Sequence, residues 1–167
     1  MGHSKKRTWP RLRRQDLVHA TRTAVAAAVS LEIAYLLKLP EPYWAAITTL
    51  IIMQSTLGAA LTISEQRFAG TALGAAMAAL LATYFAPGVL WFTAGVLVLG
   101  IICPAIGLDK AAYRFAGITL AIVMLVPRVK PPWVIALHRF VEVSVGIAVG
   151  LILTALWPEE KAGVAAR

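Results

Sequence analysis

Ionisable side chains inside long apolar segments are the residues of this sequence best suited to chemistry. Glu32 interrupts the first apolar segment, and Arg139 and Glu142 interrupt the last. A charge at the centre of a membrane helix costs ~2.5–3.5 kcal/mol on insertion scales, so it needs a partner, water or a function. Arg139 and Glu142 share one helix face by their spacing. We predict an ion pair between Glu32 and Arg139 with Glu142 competing; the alternative is a carboxylate that couples proton movement along a pathway.

Three arginines recur at similar intervals and form a second candidate site. Arg22, Arg67 and Arg114 lie 45 and 47 residues apart, and each is followed two positions later by alanine. Guanidinium groups near helix N-termini attract carboxylates, because both the charge and the free N–H donors favour an anion. The repeat predicts an anion-binding vestibule. The alternative is that these arginines only mark the cytoplasmic side and reach lipid phosphates.

Hydroxyl and glycine pairs mark two further kinds of helix face. Hydroxyl side chains recur at seven-residue spacing, which predicts one polar face that lines a path or bonds back to helix carbonyls; they are Thr48, Thr49, Ser55 and Thr56. Glycine pairs at four-residue spacing predict close helix packing, either within one subunit or between two copies. These pairs are Gly70 with Gly74 and Gly146 with Gly150.

The composition requires these residues to be carried by membrane helices. The chain has 167 residues, of which 59% are hydrophobic and only 14% charged, and its mean hydropathy is +0.75. An average soluble domain carries about 25% charged residues, so an ordinary soluble enzyme, a disordered protein and a disulfide scaffold are excluded. The sequence shows no catalytic triad, metal-ligand spacing or phosphate loop, and Cys103 is its single cysteine. We expect neither an enzyme nor a bound metal or cofactor.

Charges and turn residues set the boundaries of the helices. Phe68 to Leu108 is a run of 41 uncharged residues, long enough for two crossings, and Pro87-Gly88 breaks it near the middle. Asp16, Ser64 and Asp109 stand at expected N-caps. The sequence predicts an all-α, polytopic membrane bundle over residues 17–158, with six transmembrane helices in three hairpins. The predicted helices are 17–37, 43–60, 65–86, 88–104, 110–127 and 133–157, with five spans as the alternative because the fifth is short and contains a charge.

The distribution of lysine and arginine predicts the orientation. With a cytoplasmic N-terminus, the inner side receives twelve of the 16 basic residues and the outer side four. Both a basic tail over residues 1–16 and a short tail over residues 159–167 are therefore expected in the cytoplasm. The net charge of +8 is concentrated next to the first apolar segment. That position suits an anionic bilayer surface, and no nucleic-acid partner is expected.

Four segments carry a resemblance to a known family. They are Pro42–Thr49, Gln54–Gly58, Arg67–Ala75 and Arg139–Gly146, with Leu156-Trp157-Pro158 after them. Together they resemble the membrane domain of the fusaric acid resistance and aromatic acid exporter proteins. The resemblance implies a six-helix unit that exports aromatic or other organic acids across the bacterial inner membrane. Larger members have two such units and a cytoplasmic domain, so a single unit is expected to act as a homo-oligomer. The alternatives are a small organic-anion channel and a non-transporting accessory subunit.

Overall fold

The computed structural model of the chain describes residues 14–53, 56–127 and 129–157. These residues form six α-helices and no strand, which confirms the predicted all-α class. The helices are α1 (Arg14–Leu36), α2 (Tyr43–Ile52), α3 (Leu57–Tyr84), α4 (Val89–Ala105), α5 (Lys110–Leu125) and α6 (Pro132–Leu156). The predicted cytoplasmic tails lie almost wholly outside the described residues.

Successive helices run in opposite directions. Gly70 faces Ala112 and Gly74 faces Ala116, so α3 and α5 are parallel. The start of α1 lies beside the end of α6, because Arg22 donates a hydrogen bond to the carbonyl of Trp157. The loops over residues 37–42, 85–88 and 126–131 therefore lie together at one end of the bundle, which we name the Glu41 end. The opposite end, where α5 begins, is named the Asp109 end.

Two apolar clusters hold the helices together. The larger joins α3, α4, α5 and the first turns of α6, with Leu99 and Leu120 fully buried near its centre. The smaller joins α2, α3 and α6 through Ile52, Ala60 and Val143. Because α3 contributes to both clusters, it is the central helix of the bundle.

Membrane crossing is supported for some of these helices only. Two described segments, Asp16–Leu36 and Pro132–Leu156, are long and apolar enough to span a membrane by length and composition. Tyr43–Ile52 and Val89–Ala105 are apolar but shorter. At 1.5 Å per residue, the ten residues of α2 extend ~15 Å, about half of a ~30 Å hydrocarbon core. The structure thus confirms six helices but does not confirm six crossings.

The boundary between the second and third helices was predicted wrongly. α2 ends at Ile52 rather than near residue 60, and α3 begins at Leu57 rather than near residue 65. The N-cap of α3 is Thr56, whose hydroxyl accepts a hydrogen bond from the Ala59 N–H at 3.3 Å. Ser64, the predicted cap, is buried inside α3. The capping preference of threonine thus favours the start of α3 at Leu57, within a run that apolar composition alone would read as one helix.

Both glycine pairs pack against other helices of the same chain. A Cβ atom at Gly74 would lie 2.8 Å from the Cα of Ala116, and one at Gly146 would lie 2.6 Å from the Cβ of Thr48. Gly70 packs in the same way against α5, and Gly150 against α2. These faces therefore bring α3 onto α5 and α6 onto α2, and they are not available as the contact between two copies.

We expect Gly74→Ala to destabilise the bundle by about 1–3 kcal/mol, because the added methyl meets backbone that cannot move aside cheaply. Gly117→Ala is the matched control, since a Cβ at Gly117 meets nothing within 4 Å. That change should be neutral or stabilising by up to about 1 kcal/mol from helix propensity. The free energy of unfolding in detergent measures both, and equal effects of the two changes would refute the close packing of α3 on α5.

Candidate functional site

The first part of the candidate site is a buried guanidinium group at the junction of α2, α3 and α5. Arg67 is only 4% exposed. Its Nε and Nη2 donate to the hydroxyl of Thr48 at 3.1 and 3.0 Å. The guanidinium carbon lies 4.9 Å from the ring centre of Phe115, within the range of a cation–π contact. Among the described residues no carboxylate pairs with Arg67, so its positive charge is offset only by dipoles and a ring.

The second part is an ion-pair cluster nearer the Glu41 end. Arg139 of α6 is 2% exposed and places Nη2 2.7 Å from the carboxylate of Glu41. Its Nη1 lies 3.4 Å from the carboxylate of Glu142, one turn further along α6. The ring of Trp44 covers the guanidinium at 4.1 Å. The backbone N–H of Glu41 also donates to Glu142 Oε1 at 2.9 Å, which ties the α1–α2 loop to α6.

The predicted ion pair between Glu32 and Arg139 is wrong in its partner. Glu32 is exposed on α1, whereas Arg139 is buried and pairs with Glu41. Equal depth predicts the pair, but Glu32 lies on the exposed face of α1, opposite the face that carries the buried Ser30. The predicted closeness of Arg139 and Glu142 on one face of α6 is confirmed.

Arg22, Arg67 and Arg114 do not form one vestibule. Arg22 is buried against the end of α6, where it donates to the Trp157 carbonyl at 2.8 Å. Arg67 lies in the interior of the bundle and donates to the hydroxyl of Thr48. Arg114 is exposed, and its Nε donates to the carbonyl of Lys110 in its own helix at 3.4 Å. Equivalent positions in three hairpins thus have different neighbours, because the hairpins pack asymmetrically.

The predicted hydroxyl face of the second helix is divided between several roles. Thr49 donates to the Ala45 carbonyl at 3.1 Å and to the Gly146 carbonyl at 3.0 Å, which joins α2 to α6. Thr48 accepts from Arg67, as described above. Thr56 lies beyond α2 as the N-cap of α3, and Ser55 lies outside the described residues. One predicted member, Thr48, therefore contacts a buried charge.

A pocket of about 290 Å³ lies at the Glu41 end, directly above the ion-pair cluster. Its walls come from the α1–α2 loop, the α5–α6 loop and the first turns of α6, and they include Glu41, Lys130, His138, Arg139 and Glu142. Trp44, which covers Arg139, and Thr48, which binds Arg67, lie one turn apart on α2, so the two guanidinium groups lie along the same side of that helix. These residues lead from the open pocket to the buried cation Arg67, and we name them the polar column: Glu41, Glu142, Arg139, Trp44, Thr48 and Arg67. Two guanidinium groups near an open pocket favour the approach of an anion.

Two residues of this column were missed as site residues by the sequence reasoning. Glu41 lies before the second helix between Pro40 and Pro42, a pattern that by itself indicates only a turn. Trp44 lies near the start of the second helix, where aromatic residues are typical of a membrane interface, yet its ring covers Arg139. The proline pair was the available signal, because it fixes a loop from which a carboxylate can reach a neighbouring helix. In the described part of the chain, no group of three or more His, Cys, Asp or Glu side chains is placed to hold a metal ion.

Comparison with known proteins identifies the family. The family model described as fusaric acid resistance protein-like matches residues 26–153. The chain belongs to this family. The match includes Arg67 and Arg139 together with their partners Glu41, Trp44 and Thr48, so the polar column lies in the family's common region.

Named relatives are longer than this chain. It is 33% identical over 149 residues to the uncharacterized transporter YdhK of Escherichia coli K12, covering 84% of this chain and 22% of that protein. The protein of the same name from Salmonella typhimurium is 32% identical over 157 residues, with 88% and 23% covered. The inner membrane protein YeeA of Escherichia coli K12 is 30% identical over 154 residues, with 88% and 42% covered. The chain therefore spans less than half of each relative, and no solved structure matches it.

The ion pair between Glu41 and Arg139 should be visible as energetic coupling. In a double-mutant cycle of Glu41→Gln and Arg139→Gln, we expect an interaction energy of about 0.5–3 kcal/mol, because either single change leaves a charge short of its partner. The measurement is the free energy of unfolding in detergent.

The matched control for this cycle is Glu32→Gln combined with Arg139→Gln. Its two effects should add to within about 0.5 kcal/mol, because Glu32 is exposed on α1 and does not contact Arg139. Coupling in this control, together with additivity for Glu41, would restore the original assignment.

Proposed function

We propose that this chain is a unit of a bacterial inner-membrane transporter that exports aromatic or other organic acids as anions. Membership of the fusaric acid resistance protein-like family supports it, as do the names of the relatives, two of which are called transporters and one an inner membrane protein. The same membership favours a role other than catalysis. The sequence expectation that both termini are cytoplasmic remains part of the proposal.

The observation that supports an anionic substrate is the environment of Arg67. A guanidinium inside an apolar bundle is expensive unless it is paired, and this one pairs with a hydroxyl and an aromatic ring rather than a carboxylate. Both Arg67 bonds go to the single oxygen of Thr48, which leaves the charge itself uncompensated within the described residues. A carboxylate that entered this region would supply the missing charge. Arg67 is therefore the proposed central binding group for the substrate.

We expect Arg67→Lys to lower organic-acid flux at least about tenfold, because lysine cannot offer two parallel N–H donors to a carboxylate. The measurement is fusaric acid or benzoate efflux from liposomes that contain the purified chain. Arg114→Lys is the matched control, since Arg114 is exposed and its hydrogen bond in the described residues stays within its own helix turn. Equal flux in the parent and in both folded variants would show that Arg67 serves packing alone.

The proposal includes a homo-oligomer, and α1 is the side on which we place the contact. Glu32 is exposed within a segment long and apolar enough to span the membrane. A carboxylate facing lipid is costly, and contact with a second copy would shield it. The glycine faces are already occupied inside the chain, which leaves α1 as the favoured side.

The oligomer is tested by oxidative cross-linking. Ala28→Cys, exposed one turn from Glu32, should give disulfide-linked dimers in membranes. Leu97→Cys is the matched control on α4; it is 65% exposed and should stay monomeric. The native Cys103 is buried and does not interfere. Linkage through Leu97→Cys with none through Ala28→Cys would move the contact to another face.

A second candidate function is that of a non-transporting accessory subunit of a larger assembly. A small organic-anion channel is the other alternative. The observation that favours the accessory subunit is the length comparison, since the chain covers 22–23% of the YdhK proteins and 42% of YeeA. A lone unit would then show no flux in liposomes. Passive flux that follows the membrane potential alone, and not a proton gradient, would indicate the channel.

A further inference from the structure

The pocket at the Glu41 end has the features of a carboxylate-binding site. It holds about 290 Å³, close to the lower limit of small-molecule sites. That volume suits an acid with a single ring or a short chain. Arg139 lines the pocket while being 2% exposed, so its guanidinium is a buried, preorganised donor. Lys130 adds a second positive charge on the α5–α6 loop.

The two carboxylates on Arg139 are held differently. Glu142 is 1% exposed, belongs to a helix, and accepts a hydrogen bond from the Glu41 backbone N–H. Glu41 is 17% exposed and belongs to the short loop between α1 and α2. Glu142 is therefore the fixed counter-ion of Arg139, whereas the side chain of Glu41 faces the pocket. Rotation of that one side chain would expose the guanidinium to the pocket without moving a helix.

We propose that this pocket binds an organic monocarboxylate, and that the carboxylate of the ligand takes the place of Glu41 on Arg139. Among the described lining residues, turning Glu41 away leaves Arg139 and Lys130 facing Glu142, an excess of positive charge that favours a carboxylate ligand. Glu41 is then a tethered competitor that closes the site when no ligand is present. The ligand class rests on the proposed function, while the binding step is separable from transport.

The first experiment measures binding of radiolabelled benzoate to the purified full chain in lipid nanodiscs. Glu41→Gln should tighten benzoate binding about tenfold, because a neutral amide competes poorly for Arg139 and the open form becomes the common one. Glu32→Gln, the same charge change on exposed α1, should leave the affinity unchanged. Benzamide, the neutral analogue of benzoate, should not compete. Equal benzoate affinity in the parent, Glu41→Gln and Glu32→Gln would overturn the proposal.

A second measurement avoids any change to the ion pair. Val129 lines the pocket and is fully exposed, so Val129→Cys provides a reactive thiol at the pocket wall. Benzoate should slow its reaction with a maleimide several-fold and should not affect Leu97→Cys on α4. Absence of protection at Val129→Cys at saturating benzoate would refute the site even if Glu41→Gln failed to fold.

These outcomes separate the pocket from the transport function. Arg67→Lys should lower flux at least about tenfold but keep the protection of Val129→Cys by benzoate, because Arg67 is not among the lining residues of the pocket. Normal flux with no effect of Glu41→Gln on binding would reject the pocket alone. Benzoate binding that responds to Glu41→Gln, without flux in liposomes, would reject transport by the lone unit and support the pocket.

Discussion

A guanidinium group cannot lie in an apolar bundle without nearby acceptors, and two such groups determine how three helices of this protein meet. Arg67 draws Thr48 of α2 against α3, and Arg139 draws the α1–α2 loop against α6. Gly146 allows α2 to lie close to α6, because any side chain at this position would meet Ala45 and Thr48 of α2. The apolar clusters then fill the space around this polar column.

The short second helix is a consequence of the same constraint. α2 begins after the Pro40-Glu41-Pro42 turn, at the level of Glu142, which is ten residues or ~15 Å from the start of α6. The loop before α2 is thus recessed below the top of α6, and the recess becomes the pocket. Irregular backbone at membrane depth is tolerated where it is buried in protein or lines a cavity, and interrupted helices often mark the binding sites of transporters.

Much of the fold could be predicted from the sequence, because charge-free runs and turn residues are local signals. These signals predict the number and order of the helices and the alternation of their directions within the bundle. The break after Ile52 carries no such signal, since the stretch from residue 42 to residue 64 has no charge; in the described residues it is bounded by the Met53 C-cap of α2 and the Thr56 N-cap of α3.

The site was predictable only in part. Periodicity assigns a residue to a face of its own helix, but it does not say which helix that face meets. Arg139 and Glu142 were therefore paired correctly within α6, while the partner on the other side was taken to be Glu32 instead of Glu41. The three arginines failed as a group for the same reason, since each faces a different neighbour.

The order of the polar partners along the chain has a consequence for biosynthesis. Thr48 precedes Arg67 by 19 residues, and Glu41 precedes Arg139 by 98. During vectorial synthesis each of these interior arginines therefore leaves the ribosome after its acceptor, so the acceptor is already available when the cation must enter the bilayer. Arg22 has the reverse order, because the Trp157 carbonyl follows it by 135 residues. The contact between Arg22 and the Trp157 carbonyl therefore forms only after α6 has been synthesised, so this link between α1 and α6 is made late in the assembly of the bundle.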